Sequence, residues 1–467
     1  MNRQYAALGT DESNKFQVGE GKFLQDLFSG LNKTGIHYAV MRNHEPLPYS
    51  TGGSDLDIFV NPVDVKAAKN LLIDVVQRVN GEIIGVVQTW NFFEAYVLGC
   101  LDGQWWGVCV EFYSSIAFKS AVPLVNQEAL SRHLELHNNI AIVPHEIGNT
   151  IGYIKEILVH NDFRKDKPQY QESAAFLVNQ RPNLFDEIFF PLGACGRNLL
   201  SGVLDGKPPF ETASRIMKFR YSMLALAFIR NPFLFTYRRF GHEFFRLSRF
   251  VRPSGTVIAI LGVDGAGKST VINAILSALN AATHNAVVVQ HLRPTLLPPL
   301  ARLKGKQHVH TGPVLEPHGS KPSGKLGSLF RLAYLTLDYL IGYWLWTRPK
   351  IAKQPTVVIF DRYAYDMALD PRRFRIGLSS RVAGWFAALA PKPDLIICLH
   401  GNPEVIVARK QELPLEETRR QVDALRDFAS REPRAVLIST DSSIEETRDR
   451  ILQSLCEFLR AKARKNL

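Results

Sequence analysis

The sequence predicts an α/β protein in three segments: an α+β domain over residues 1–145, a helical connector over 146–253, and a three-layer α/β/α domain with a parallel sheet over 254–467. Three observations predict it. A chain of 467 residues exceeds what a single core organises. In its C-terminal part, continuous apolar runs alternate with helical patterns, as they do when a parallel sheet is covered on both faces. The first of those runs leads through a glycine-rich loop, Gly262-Val-Asp-Gly-Ala-Gly-Lys-Ser-Thr270, into a helical pattern.

In the first segment, Phe16 to Gly30 has helical spacing, with Phe23, Leu24, Leu27, Phe28 and Leu31 on one side. His37 to Met41 reads as a strand, and Arg42 to Thr51, with Pro46 and Pro48, as a loop. Gly52-Gly-Ser-Asp-Leu-Asp-Ile-Phe-Val60 follows. Its strand period places Asp55 and Asp57 on one face. Pairing with the run Trp106 to Tyr113 brings Glu111 to the same edge. Three carboxylates at one sheet edge suit Mg²⁺. The alternative is a solvated hairpin, because Gly-Gly-Ser-Asp is also turn chemistry.

Ala121 to Asn139, at the end of the first segment, reads as helix with a turn, and in the middle segment Thr150 to Phe163 and Gln171 to Asn179 read as helices, punctuated by Pro182, Pro191, Pro208 and Pro209. His145, His160 and His242 are isolated in sequence and receive no role. Residues 215–252 carry nine Lys and Arg against the single acid Glu243, interleaved with phenylalanines. The plainest reading is a helix pair whose phenylalanine face is buried and whose arginine face is wet. The other reading is peripheral contact with an anionic membrane. A nucleic-acid partner is not expected. Pro253-Ser-Gly255 reads as the linker into the last segment.

There, Ala286–Gln290, Thr356–Phe360, Asp394–Leu399 and Ala435–Ser439 read as buried strands, and Leu329–Trp346 and Ile444–Arg464 as helices. A nucleotide then binds at the carboxyl ends of the strands. The glycine loop has phosphate-binding spacing. Gly262, Gly265 and Gly267 let the backbone curl so that N–H groups point inward. The following helix adds its positive end. Lys268 reaches β- and γ-phosphates, and Ser269 offers its hydroxyl to Mg²⁺. An insertion at about 296–328, with His308, His310 and His318, reads as a flexible loop.

Two resemblances follow from these residues. Asp55-x-Asp57 beside Gly53-Ser54, with Glu111 on a later strand, resembles the nucleotidyltransferase superfamily. It implies that Asp55, Asp57 and Glu111 hold a second Mg²⁺. The Gly-Ser pair there lies several residues upstream, where this chain has Met41-Arg42-Asn43. The glycine loop together with Asp361-Arg362-Tyr363, Arg293-Pro294 and Arg409-Lys410-x-Glu412 resembles the thymidylate kinase family. That resemblance covers roughly residues 254–467. It implies an ATP- and Mg²⁺-dependent phosphotransferase and, weakly, a homodimer. Gly262, Asp264, Gly265, Ala266, Gly267, Lys268, Ser269, Thr270 and Arg293 would then contact nucleotide or acceptor. Asp361 would serve Mg²⁺ or the acceptor, Arg362 would grip phosphate, and Arg409, with Arg419 and Arg420 beyond it, would stand at a lid. The acidic residue between Arg293 and Pro294 is missing, and Asp370-Pro-Arg372-Arg373-Phe-Arg375 is unlike the housekeeping pattern, its three arginines suiting an anionic acceptor. The whole is similar to kinase-like proteins found among bacterial surface-polysaccharide genes. The acceptor implied is dTMP, another nucleotide, or a sugar or glycolipid.

Composition sets the surroundings. The net charge of +12 suits a polyanionic partner. Five scattered cysteines show no zinc or redox spacing, which points to a reducing cytoplasm and excludes a disulfide scaffold. Met1 to Ser13 is polar and lacks a signal peptide's apolar segment. No apolar run is long enough to span a membrane. The protein is expected in the cytoplasm, or peripheral to the inner membrane.

Overall fold

A computed structural model describes residues 18–163, 166–204, 209–298 and 321–465. They form two compact units that part between Ser248 and Arg249. His308, His310 and His318 lie outside the described residues.

The first unit is built on a seven-stranded mixed sheet. Helix α1 (Val18–Lys33) buries Phe23, Leu24, Leu27, Phe28 and Leu31. Strands β1 (Tyr38–Val40) and β2 (Leu56–Val60) pair antiparallel. Helix α2 (Val65–Arg78) leads into β3 (Gly81–Gln88), β4 (Phe92–Leu101) and β5 (Gln104–Tyr113), an antiparallel meander. Strands β6 (Ala117–Phe118) and β7 (Val122–Pro123) form a separate short ladder. After them come α3 (Gln127–Arg132), β8 (Glu135–His137) and β9 (Ile140–Ile142). The order of the large sheet is β3-β4-β5-β2-β1-β9-β8.

The expectation of helix with a turn over 121–139 is met only by the short α3, for a local reason. Pro123 cannot continue a helix from β7, and Asn126 caps only the short α3 by accepting from the Ala129 N–H at 3.4 Å. Asn138 and Asn139 both take positive φ, 50° and 61°, and turn β8 back into β9.

The helices after β9 complete the same core. They are α4 (His145–His160), α5 (Pro168–Gln180), α6 (Pro182–Ile188), α7 (Gly193–Leu204), α8 (Pro209–Arg230) and α9 (Pro232–Val251). Ile147, Ile154, Leu177, Phe185 and Ile216 share one buried cluster with Phe59, Tyr113 and Phe118 of the sheet region. His145, isolated in sequence, packs against buried His44 with ring centroids 4.4 Å apart and the rings tilted by 37°. Helix α9 behaves otherwise: none of its residues is buried, and although Phe235 packs against the core cluster, Phe233, Phe240, Phe244 and Phe250 are exposed, so the expected buried phenylalanine face is met only in part.

The second unit is a five-stranded, all-parallel sheet: β10 (Thr256–Gly262), β11 (Val287–His291), β12 (Val357–Asp361), β13 (Leu395–His400) and β14 (Ala435–Ser439). Their order is β11-β12-β10-β13-β14. The chain runs to one side of β10 first and to the other side afterwards. The carboxyl end of β10 is therefore a topological switch point, where an open α/β sheet leaves a crevice. One face packs Val257, Ala259, Val358, Phe360 and Ile396 against Leu332, Phe386 and Leu425 of flanking helices. Helix α10 (Lys268–Ala282) packs on β10, β11 and β12 and on the helix Ile444–Ala463. No helix among the described residues is long and apolar enough to cross a membrane.

Candidate functional site

The glycine loop joins β10 to α10 at that switch point. Gly265 and Gly267 have φ of +87° and +81°, the left-handed region in which a side chain is strained. Gly262 serves differently from the expected curl. Its φ is not positive, and a Cβ there would stand 3.0 Å from the Leu399 carbonyl oxygen, so it permits close approach to β13. A Cβ at Gly265 would meet the Ile406 carbonyl oxygen at 2.9 Å. Gly265→Ala is therefore expected to cost about 1–3 kcal/mol and to weaken nucleotide binding. Thermal melts and a nucleotide titration check this; wild-type affinity in the variant would mean that the loop geometry is not what binds.

Lys268 opens α10 and is buried beneath the loop. Its Nζ donates to the carbonyls of Gly262 at 2.8 Å and Val263 at 3.0 Å, and lies 3.8 Å from Asp264 Oδ1. An ammonium has three hydrogens, so one remains for another acceptor. Burial, and then the charge of Arg362, bring its pKa down to about 8, against the pull of Asp264, Asp361 and Asp366. Ser269 and Thr270 are exposed in the first turn of the helix.

Asp264 is held from both sides. One carboxylate oxygen accepts from Arg362 and the other from Arg373. Burial disfavours its charge, and Arg362, Lys268 and Arg373 outweigh that, so the carboxyl stays below its ordinary pKa. Arg362 follows β12 with φ +74°, an uncommon conformation for a residue with a Cβ. It is 4% exposed and lies 3.6 Å from Asp366. Asp366 is buried and accepts from the Tyr363 N–H at 2.9 Å; burial pushes its pKa up. Asp361 ends β12, in register with His291 at the end of β11, and its Oδ2 lies 3.0 Å from His291 Nδ1. Its Oδ1 is buried without a hydrogen-bond partner. An orphaned anionic oxygen beside a phosphate loop suits a hard cation, so Asp361 fits Mg²⁺.

Two of the expected residues are engaged elsewhere in the unit. Arg293 Nη1 donates to Asp338 Oδ2 at 2.7 Å, and buried Asp338 also accepts from the N–H groups of Thr295 and Leu297. Arg409 donates through both Nη atoms to the Thr440 carbonyl at 3.2 Å. Arg419 and Arg420 pair with Glu404 and Glu417 on exposed helix surface. Three residues of the cluster received no individual role in the sequence reading. Arg373 stood only as one of three arginines, and Asp366 and His291 not at all. The signal for Asp366 was its spacing four residues after Arg362, and for His291 its place at the end of a parallel strand.

The first unit has its own polar cluster. Asp57 on β2 is the register partner of Glu111 on β5. Oxygen atoms of Asp55, Asp57 and Glu111 all lie within 4.8 Å of one another. Arg42 donates to Asp57 Oδ2 and lies 3.8 Å from Asp55. Burial alone would raise the Asp57 pKa, but Arg42 and Lys155 lower it overall. Burial, then the charges of Asp57, Glu94 and Asp55, push Glu111 well up. Glu111 accepts from the Tyr113 hydroxyl, which accepts from Lys155 Nζ at 2.9 Å. Asp57 Oδ1 is buried without a hydrogen-bond partner, so this cluster also fits a divalent cation.

No protein-family model matches the chain, and no curated protein does. Among solved structures, the chain is similar to the thymidylate kinase from Ehrlichia chaffeensis, with 16% identity and a TM-score of 0.31, over 44% of this chain and 100% of that one. The parallel sheet, its strand order and the glycine loop at its switch point stand on this chain's own geometry.

Proposed function

We propose that the C-terminal unit is a kinase that transfers the γ-phosphoryl group of ATP, with Mg²⁺, to a nucleoside monophosphate of dTMP type or a related acceptor. One observation carries the reading: three cations, Lys268, Arg362 and Arg373, converge on the phosphate loop at the switch point of a parallel sheet. Phosphoryl transfer asks a protein for positioning and charge stabilisation more than for covalent chemistry. Lys268 has a hydrogen left for the β- and γ-phosphates. The loop N–H groups and the amino end of α10 supply further donors. Ser269 and Asp361 would hold Mg²⁺, which, when bound, offsets charge on the phosphates. Arg362 and Arg373, now paired with Asp264, present the donors that an anionic acceptor would take.

The test is transfer from ATP and Mg²⁺ by the purified full-length chain to dTMP, other nucleoside monophosphates and a panel of sugars. Conversion of one nucleoside monophosphate, lost when EDTA removes the metal, is the expected result. Transfer to sugars alone would replace the acceptor class. ATP binding with no transfer to any acceptor would overturn the kinase reading.

A second reading is favoured by the unpartnered Asp57 oxygen. In it, Asp55, Asp57 and Glu111 hold Mg²⁺ for a nucleotidyl transfer in surface-polysaccharide synthesis, and the P-loop unit is regulatory. Pyrophosphate release from a nucleoside triphosphate, lost in Asp55→Asn/Asp57→Asn and retained in Lys268→Ala, would select it.

A further inference from the structure

Helix α9 is turned inside out. Phe233, Tyr237, Phe240, Phe244 and Leu247 follow one another at alternating steps of four and three residues, so they form one stripe along the helix. All five are exposed, from 59% at Phe244 to 89% at Phe233. The other side faces the unit: Phe235 packs against its buried cluster, and Tyr237, at the stripe's edge, meets the Trp90 ring edge-on at 6.0 Å. Arg238 lies over the Trp90 ring at 4.7 Å, and His242 Nδ1 lies 3.1 Å from Ser120 Oγ. An amphipathic helix normally buries its apolar stripe, and a patch of this kind marks an interaction surface.

Charge decides what covers it. Residues 215–252 hold nine Lys and Arg against one Glu, a net charge of +8. Arg215, Lys218, Arg230 and Arg246 are exposed. A helix is about 10 Å across, close to one Debye length, so these cations act at the surface the stripe touches. A second copy docked on the stripe would bring like charge against like charge. An anionic surface is complementary. Four of the five stripe residues are aromatic, where a coiled-coil seam is usually aliphatic. Phenylalanine and leucine on one side with arginine on the other is the pattern of helices that lie in the plane of a membrane surface. We infer that α9 docks the protein on an anionic lipid bilayer, lying in its surface with the stripe inserted. The inference is independent of the kinase reading.

The test uses full-length protein floated with vesicles of phosphatidylcholine alone or mixed with phosphatidylglycerol. The wild type is expected to float with phosphatidylglycerol-containing vesicles and to release as salt is raised. Phe240→Ser/Phe244→Ser should weaken binding at least about tenfold without moving the thermal melt, because both side chains are exposed. Arg230→Gln/Arg246→Gln should reduce the preference for phosphatidylglycerol. The inference is overturned if the wild type floats with neither vesicle, or if the phenylalanine variant binds as the wild type does. It is also overturned if, with no vesicle binding, that variant instead dissolves a dimer or abolishes oligonucleotide binding.

Discussion

Lys268→Ala is expected to lower phosphate transfer by roughly two to three orders of magnitude while leaving the second unit folded. The size follows from removing one preorganised charge from a site where charge develops during the reaction. The fold should survive because the ammonium is held against resistance: burial and the Arg362 charge depress its pKa to about 8. A base with a folded pKa below its unfolded value of about 10.5 is a net cost below pH 8. That cost disappears as pH rises from about 8 to about 10.5. The stability of the wild type relative to Lys268→Ala should therefore improve across that window, as read by denaturant melts. Lys268→Arg is not expected to rescue activity. A guanidinium is larger and planar, and the Gly262 and Val263 carbonyls receive a compact ammonium at 2.8 and 3.0 Å. Transfer surviving Lys268→Ala at the wild-type rate would remove the loop from the mechanism.

The parallel sheet of the second unit was legible because a strand buried on both faces must be apolar throughout. Within the predicted runs, Val357–Phe360 and Leu395–Leu399 carry that signature over their whole length. The first unit was harder. Strands β3 and β4 escaped the sequence reading, since Gly85, Glu94, Tyr96 and Gly99 break any simple alternation. Yet Asp102-Gly103, with φ of 50° and 74°, is a two-residue hairpin turn between β4 and β5, and that dipeptide is a strong hairpin signal. The phosphate loop was legible because its residues are contiguous. His291 and Arg373 reach the site from the end of β11 and from the segment after β12, and no local pattern links them to Asp361 or Asp264. The interleaving of arginine and phenylalanine over 215–252 marked a two-faced helix pair but not the direction of either face. Spacing says which residues share a face, and only tertiary structure says where that face points.

Arg42→Ala is expected to destabilise the first unit by about 3–5 kcal/mol, the cost of leaving a buried charge without its partner. Asp57 is wholly buried, and Arg42 is the cation that donates to it. The ion pair need not stabilise the fold by itself, because desolvating two charges offsets much of their attraction. Removing one side alone exposes the full penalty. Arg42→Ala/Asp57→Asn should therefore recover much of the loss, and the non-additivity of the cycle measures the coupling. The same variant asks what the carboxylates are for. With Arg42 gone, Asp57 and Asp55, with Glu111 beside them, keep their oxygens within 4.8 Å and lose their guanidinium counter-ion. A divalent cation that fits there should take its place, so Mg²⁺ is expected to raise the melting temperature of Arg42→Ala more than that of the wild type. It should do nothing for the double variant, which lacks the Asp57 charge. A melt of Arg42→Ala equal to the wild type would show that Asp57 does not depend on Arg42. A destabilised variant indifferent to Mg²⁺ would leave the pair as a purely structural contact and remove the support for nucleotidyl transfer in this unit.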